Sequence, residues 1–148
     1  MSANYIRYIP ECVDEEIAKQ NLSKIGKLTL GGVTPNIIIN EKVAFADAGE
    51  NFASVVCPFC NTGVMGWWGG AMSAAFFGEN GFGNLNVITP CCEKPTSLHY
   101  LLYNYPQGFY RIMVEFEPIS ADEQSVGNIL AQLERITDSA WRTINSRY

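Results

Sequence analysis

The sequence predicts an α+β domain, with helices packed on a mostly antiparallel sheet and a zinc-ribbon-like cysteine module set into it. Three observations predict it. Apolar and polar residues alternate over residues 5–9 and again over 109–117, where Tyr110, Ile112, Val114 and Phe116 share one face and Arg111, Glu115 and Glu117 the other. Near the C-terminus, Val126, Ile129, Leu130, Leu133 and Ile136 fall on one helical stripe. Four of the five cysteines sit in two short clusters about thirty residues apart, Cys57-Pro58-Phe59-Cys60 and Pro90-Cys91-Cys92.

Taken in order, residues 5–9 read as a first strand closed by Pro10. Over residues 14–25, Ile17, Ala18, Leu22 and Ile25 recur at helical spacing, with Asp14 as N-cap and Gly26 as stop. Cys12, just before that helix, reads as a small buried hydrophobe. After the loop Gly31-Gly32-Val33-Thr34-Pro35 come two short strands, Ile37-Ile38-Ile39 and Val43-Ala44-Phe45-Ala46. Asp47-Ala48-Gly49-Glu50-Asn51 has the composition of a hairpin loop, and residues 52–56 return as the strand feeding the first cysteines. Between the clusters, Trp68, Met72, Ala75 and Phe76 share one helical face, which makes Trp68 and Phe76 core and leaves Trp67 and Phe77 off the stripe. Gly78-Glu79-Asn80-Gly81 ends that helix, and residues 85–89 form the strand delivering the second cysteines. Residues 96–103 read as a strand joined to 109–117 across Asn104-Tyr105-Pro106-Gln107-Gly108. Ser120-Ala121-Asp122-Glu123 is a capping box for the last long helix, and a short turn with Trp141 and Ile144 ends the chain.

At 148 residues, 47% hydrophobic and 12% aromatic, the chain can bury the core of one domain spanning 1–148, with the cysteine insertion at about 55–93. A net charge of −5 and a pI near 4.8 argue against a general affinity for nucleic acid or anionic membrane. Between Lys42 and Lys94 there is no Lys or Arg, so the cysteine module offers no cation to a phosphate. No apolar run approaches the roughly 18 residues of a membrane span, and residues 1–7 lack the regions of a signal peptide. The expectation is a soluble, cytoplasmic protein. Thiols stay reduced in that compartment, which favours metal or redox chemistry over disulfides.

Two cysteines from each of two turns make the closed set of one structural zinc ion, with Cys57, Cys60, Cys91 and Cys92 as ligands. The first turn needs a left-handed residue after Cys60, which Asn61 or Gly63 supplies. Cys91 and Cys92 would point to opposite faces of an extended chain. Both reach one ion only if the chain turns sharply between Pro90 and Glu93-Lys94-Pro95. An alternative ligand set uses one of that pair with the lone histidine, His99. A competing reading is a thiol oxidoreductase, because Cys57-Pro58-Phe59-Cys60 after an apolar strand resembles the glutaredoxin and thioredoxin active-site motif, with Thr89-Pro90 in place of the cis-proline. Against it stand the late position of the motif and the absence of a neighbouring cation to depress a thiolate. One histidine cannot build a Ser-His-Asp or multi-His centre, and a four-thiolate ion has no open position for substrate water. The chain reads as non-catalytic.

Several segments together resemble a family of small bacterial proteins with paired CPxC and PCC clusters: Phe45-Ala46-Asp47-Ala48-Gly49-Glu50-Asn51-Phe52, Cys57-Pro58-Phe59-Cys60, Trp67-Trp68, Thr89-Pro90-Cys91-Cys92, Thr96-Ser97-Leu98 and Pro106-Gln107-Gly108-Phe109. The resemblance covers most of the chain. It implies a bacterial origin and the pairing of the two cysteine clusters, and it implies no activity. In those relatives glycine usually follows the second cluster, where this chain has Glu93. A small, acidic, non-catalytic bacterial domain suggests a protein-binding role of the toxin-neutralising (immunity) kind, with a basic toxin domain as partner. Trp67, Phe77, Asp47 and Glu50 are the candidate contact residues, aromatic anchors beside acidic charge.

Overall fold

The computed structural model of the chain describes residues 3–78 and 80–148; Met1, Ser2 and Glu79, the last within the expected helix terminator, lie outside the described residues. Two strands with buried residues on both faces set the centre of the fold. β1 (Asn4–Pro10) buries Tyr8 and Ile9 in succession, and β7 (Gly108–Phe116) buries Ile112, Met113 and Val114. Side chains that alternate across a strand can be buried in succession only where both faces are covered. These strands pair antiparallel as the inner members of a four-stranded sheet ordered β2-β7-β1-β8, with β2 (Asn36–Ala46) and β8 (Trp141–Arg147) at its edges.

One face of the sheet carries α1 (Lys19–Ile25) and α3 (Glu123–Thr137). Tyr8, Val114, Phe116 and Trp141 meet Ile25, Leu28, Leu30, Ile129 and Leu133 there in the largest core cluster. The other face holds a smaller cluster of Ile9, Ala46, Met113 and Ile144. Beyond it lies the cysteine module: β3 (Ser54–Val56) with β6 (Leu102–Asn104), β4 (Asn86–Ile88) with β5 (Pro95–Ser97), α2 (Met65–Phe76), and a 3-10 turn at Leu98–Tyr100. Phe109 of β7 and Phe45 of β2 pack into the module's core of Val55, Cys57, Val64, Leu98 and Leu101. Module and sheet therefore share one α+β body. Among the described residues, no helix is long and apolar enough to cross a membrane.

Several expected elements take a different form. The first helix begins at Lys19 rather than Asp14, because Glu15 N–H closes a separate turn on Cys12 O and Ala18 is still extended. Cys12 is exposed, not buried. Residues 37–39 and 43–46 form one strand with a register shift between Ile39 and Ala44. The loop at residues 47–51 does not close a hairpin, since β3 pairs with β6 and not with β2. Residues 96–103 break into β5, the 3-10 turn and β6, each with a different partner. Asp122, not Ser120, caps α3 by accepting from Ser125 N–H at 2.7 Å. The C-terminal turn is the strand β8, matched to β1 from Asn4↔Arg147 to Pro10↔Trp141.

A buried polar joint ties module to sheet. Arg142 of β8 holds Glu11 through two bonds of 2.9 and 2.7 Å and donates from Nη1 to His99 O and Gln107 O. Gly108 is required at this close approach, because a Cβ there would sit 2.6 Å from Arg142 Nη1 and 2.9 Å from the His99 ring. His99 is fully buried; its Nδ1 accepts from Phe109 N–H at 2.9 Å, which leaves Nε2 to donate to Glu11 O at 2.8 Å. Burial, with the Arg142 charge beside it, pushes the His99 imidazole down to about 4. The native ring is thus neutral where an unfolded one, near 6.5, already binds a proton. Stability from this group is fully present above about pH 6.5 and is lost as pH falls toward 4, by roughly 3 kcal/mol in all. Denaturant unfolding between pH 7 and pH 4.5 should show that loss in the native protein and a flatter profile in His99→Gln. Parallel profiles would exclude this role for His99.

Candidate metal centre

Two turns of the same build bring the thiols together. In the first, Asn61 N–H donates to Cys57 O and Cys57 N–H to Thr62 O, both at 2.9 Å, with Asn61 left-handed at φ 59°. In the second, Glu93 N–H donates to Thr89 O and Thr89 N–H to Lys94 O, again both at 2.9 Å, with Glu93 at φ 56°. Residue for residue, Cys57-Pro58-Phe59-Cys60-Asn61-Thr62 thus corresponds to Thr89-Pro90-Cys91-Cys92-Glu93-Lys94. The fourth position carries a cysteine in both turns, Cys60 and Cys92. The remaining ligand comes from the first position in one turn, Cys57, and from the third in the other, Cys91. That offset is how two adjacent cysteines serve one centre.

The four sulfurs lie within 4.8 Å of one another. Across the gap between turns, Cys57 Sγ is 3.7 Å from Cys92 Sγ and Cys60 Sγ is 3.4 Å from Cys91 Sγ. A tetrahedral ion with metal–sulfur bonds of about 2.3 Å separates its sulfurs by about 3.8 Å. The four cysteines can therefore hold one metal ion. Cys57 is buried, Cys92 is half-buried, and Cys60 and Cys91 are exposed, so one edge of the cluster faces solvent.

The protons on these thiols are unevenly held. Burial works against charge on Cys57, yet the Phe59 and Cys60 amides and the neighbouring thiols outweigh it and bring Cys57 down to about 6. Cys60 is lowered too, chiefly by Thr62, whose hydroxyl lies 3.2 Å from its sulfur. Cys91 is pushed up to about 12, by the loss of hydration its sulfur suffers against the cluster although the residue as a whole is exposed, and by the three other sulfurs. Four thiols this close compete for negative charge, and a divalent cation removes that competition. The nearby Lys94 ammonium rests over the Phe59 ring, 5.3 Å from its centroid.

Two supporting residues escaped the sequence reading. Thr89, almost fully buried, places its hydroxyl 3.2 Å from Cys92 Sγ and accepts from Lys94 N–H at 3.0 Å, so it orients the second turn. Thr62 plays the matching part for Cys60. The signal was present, since Pro in second place and Cys in fourth are common to both hexapeptides. His99 is not part of the cluster, because both ring nitrogens are engaged with Glu11 and Phe109.

The candidate contact residues separate into two places. Trp67 is half-buried on α2 and lines a groove of about 390 Å³ with Ala71, Ala75, Asn86 and Ile88, while Phe77, just past the helix, is 82% exposed. Trp68 is half-buried and packs on Phe45, Phe52 and Tyr103 at the border of the module core, but Phe76 is 52% exposed and is not core. Asp47 and Glu50 sit beside the end of β8: Asp47 Oδ1 accepts from the Tyr148 hydroxyl at 2.5 Å, and Glu50 lies 3.7 Å from Arg147.

Comparison with protein-family models, with curated proteins and with solved structures returns no match to this chain. The likeness to small bacterial CPxC/PCC proteins rests on the quoted motifs alone.

The left-handed residue after Cys92 gives a direct test of the turn. A side chain at φ 56° is strained, and Glu93 is exposed, held in the turn by its backbone bond to Thr89 O. Glu93→Gly should stabilise the metal-loaded protein by about 0.5–1 kcal/mol, and Glu93→Val should destabilise it by more than about 1 kcal/mol. Thermal unfolding of the three proteins side by side checks both signs.

Proposed function

We propose that this chain is a non-catalytic protein-binding domain stabilised by one structural zinc ion, with its contact surface centred on α2. One observation carries the reading. α2 is a 12-residue helix, MGWWGGAMSAAF, with no ionisable residue. Trp67, Trp68, Ala71, Met72 and Ala75 pack against the module core, while its other face, including Met65, Ala74 and Phe76, is exposed and uncharged and is followed at once by the exposed Phe77. A helix that is apolar all round normally lies inside a core or against a partner. Zinc suits the donor set, since four thiolates at tetrahedral spacing form its usual structural site and leave no position for substrate. The net charge of −5 favours a basic partner, as a toxin-neutralising protein of the immunity kind would meet. Asp47 and Glu50 are already engaged with Tyr148 and Arg147, so the attraction in this reading is carried by the whole acidic surface.

The thiol oxidoreductase reading draws on the lowered Cys57 thiol and the exposed Cys60. The arrangement lends it less. The close sulfur neighbours of Cys57 and Cys60 lie across the gap, on Cys92 and Cys91, and α2 begins at Met65, well after the motif. Reduction of a glutathione mixed disulfide, abolished by Cys57→Ser, would decide for it.

Elemental analysis of protein purified without chelator should give about one zinc per chain, and full removal of the metal should lower the melting temperature markedly. An unchanged melting curve would contradict a structural ion. For the surface, Phe77→Ala should weaken partner binding by about 1–2 kcal/mol with the melting temperature unchanged, because Phe77 lies outside the core. Trp67→Ala should lower both, because Trp67 also packs against the module core. Isothermal calorimetry with a basic partner recovered by pull-down, paired with melting curves, separates these outcomes. Binding unaffected by either change places the contact surface elsewhere.

A further inference from the structure

The outer edge of the sheet carries a self-complementary segment, independent of the metal and of α2. β2 is the last strand on its side, paired only to β7, and among the described residues no backbone group bonds to its outer edge. Long apolar edges invite strand addition, and proteins usually protect them with proline, lysine or a bulge. β2 has all three, placed around one gap. Pro35 precedes the strand, the register shift lies between Ile39 and Ala44, and Lys42 sits within that irregular stretch. What remains open is Asn36-Ile37-Ile38-Ile39-Asn40, with Ile39 63% exposed.

That pentapeptide reads the same in both directions. Antiparallel pairing of two copies about Ile38 sets Ile38 opposite its own counterpart, Ile37 opposite Ile39, and Asn36 opposite Asn40. The segment holds no charge, and the next pairs outward are Pro35 with Glu41 and Thr34 with Lys42, so no like charges meet. Two chains of net charge −5 repel elsewhere, which makes an uncharged edge the favourable place to meet. Pairing would cover Ile39, which lies beside Ile17 and Leu22 in a hollow that Glu15, Glu16 and Arg111 also line, with Ile37 of the second copy. We propose that a second copy of this chain docks on β2, joining the two four-stranded sheets into one continuous eight-stranded sheet across a two-fold axis at Ile38.

The register makes the test specific. Sedimentation equilibrium of the zinc-loaded protein from about 1 to 500 µM should show a reversible monomer–dimer equilibrium. The double variant Asn36→Lys with Asn40→Lys puts like charges opposite each other twice per dimer and should raise the dissociation constant at least tenfold. The double variant Asn36→Lys with Asn40→Glu puts opposite charges there and should keep or tighten the dimer. A native protein that stays monomeric throughout overturns the proposal, and so does a dimer in which both double variants behave alike. Should the Lys/Lys variant fail to fold, amide hydrogen exchange of the native protein decides. Exchange over residues 36–40 that slows as concentration rises supports the pairing, and exchange independent of concentration refutes it.

Discussion

The convergence of four sulfurs from two turns is the constraint on which the cysteine module depends. Its helix buries no residue fully, and its two sheets have two short strands each. Such ribbons are marginal by themselves. A structural four-thiolate ion contributes on the order of 10 kcal/mol, comparable with the whole stability of a typical domain. Held by Cys57 and Cys92, such an ion would also tie residues 35 positions apart and close the loop bearing α2 at its base. α2 can then keep Trp67, Trp68 and Met72 on the module core and leave an uncharged face exposed, which is the property a contact surface needs.

The joint around Arg142 has a different job. It fixes the module's orientation on the sheet through Glu11, His99 and Gln107, elements that come from the N-terminal segment, the 3-10 turn and the loop before β7. A half-buried ion pair of this kind seldom adds much net stability, but removing Glu11 leaves the Arg142 guanidinium, largely withdrawn from water, without its carboxylate. Its value here lies in specifying one arrangement. The neutral His99 belongs to the same arrangement, since a second ring proton would oppose the Phe109 amide.

Local pattern was enough for the fold class, for β1, β7 and α3, and for the residues of the sulfur cluster. Spacing and burial periodicity encode these directly. Pairing choices were not legible in that way. β8 holds only Trp141 and Ile144 as large apolar residues, on opposite faces, and becomes a strand because β1, at the far end of the chain, offers it a full ladder. Residues 96–103 look like one strand by composition, yet Leu98 and His99 must turn inward to reach the module core and Glu11. Phe76 lies on the apolar stripe of α2, but at the end of the helix it meets the rings of Phe77 and Phe82 rather than the module core and stays 52% exposed. At the centre itself, adjacent Cys91 and Cys92 looked awkward until the two turns were aligned, when the third and fourth positions of one turn proved to serve as well as the first and fourth of the other.

X-ray absorption at the zinc edge of the purified protein tests the central claim most directly. The account predicts four sulfur scatterers at about 2.3 Å and no nitrogen or oxygen in the coordination shell. A shell with fewer than four sulfurs, or with an imidazole nitrogen in place of Cys91 or Cys92, would contradict it.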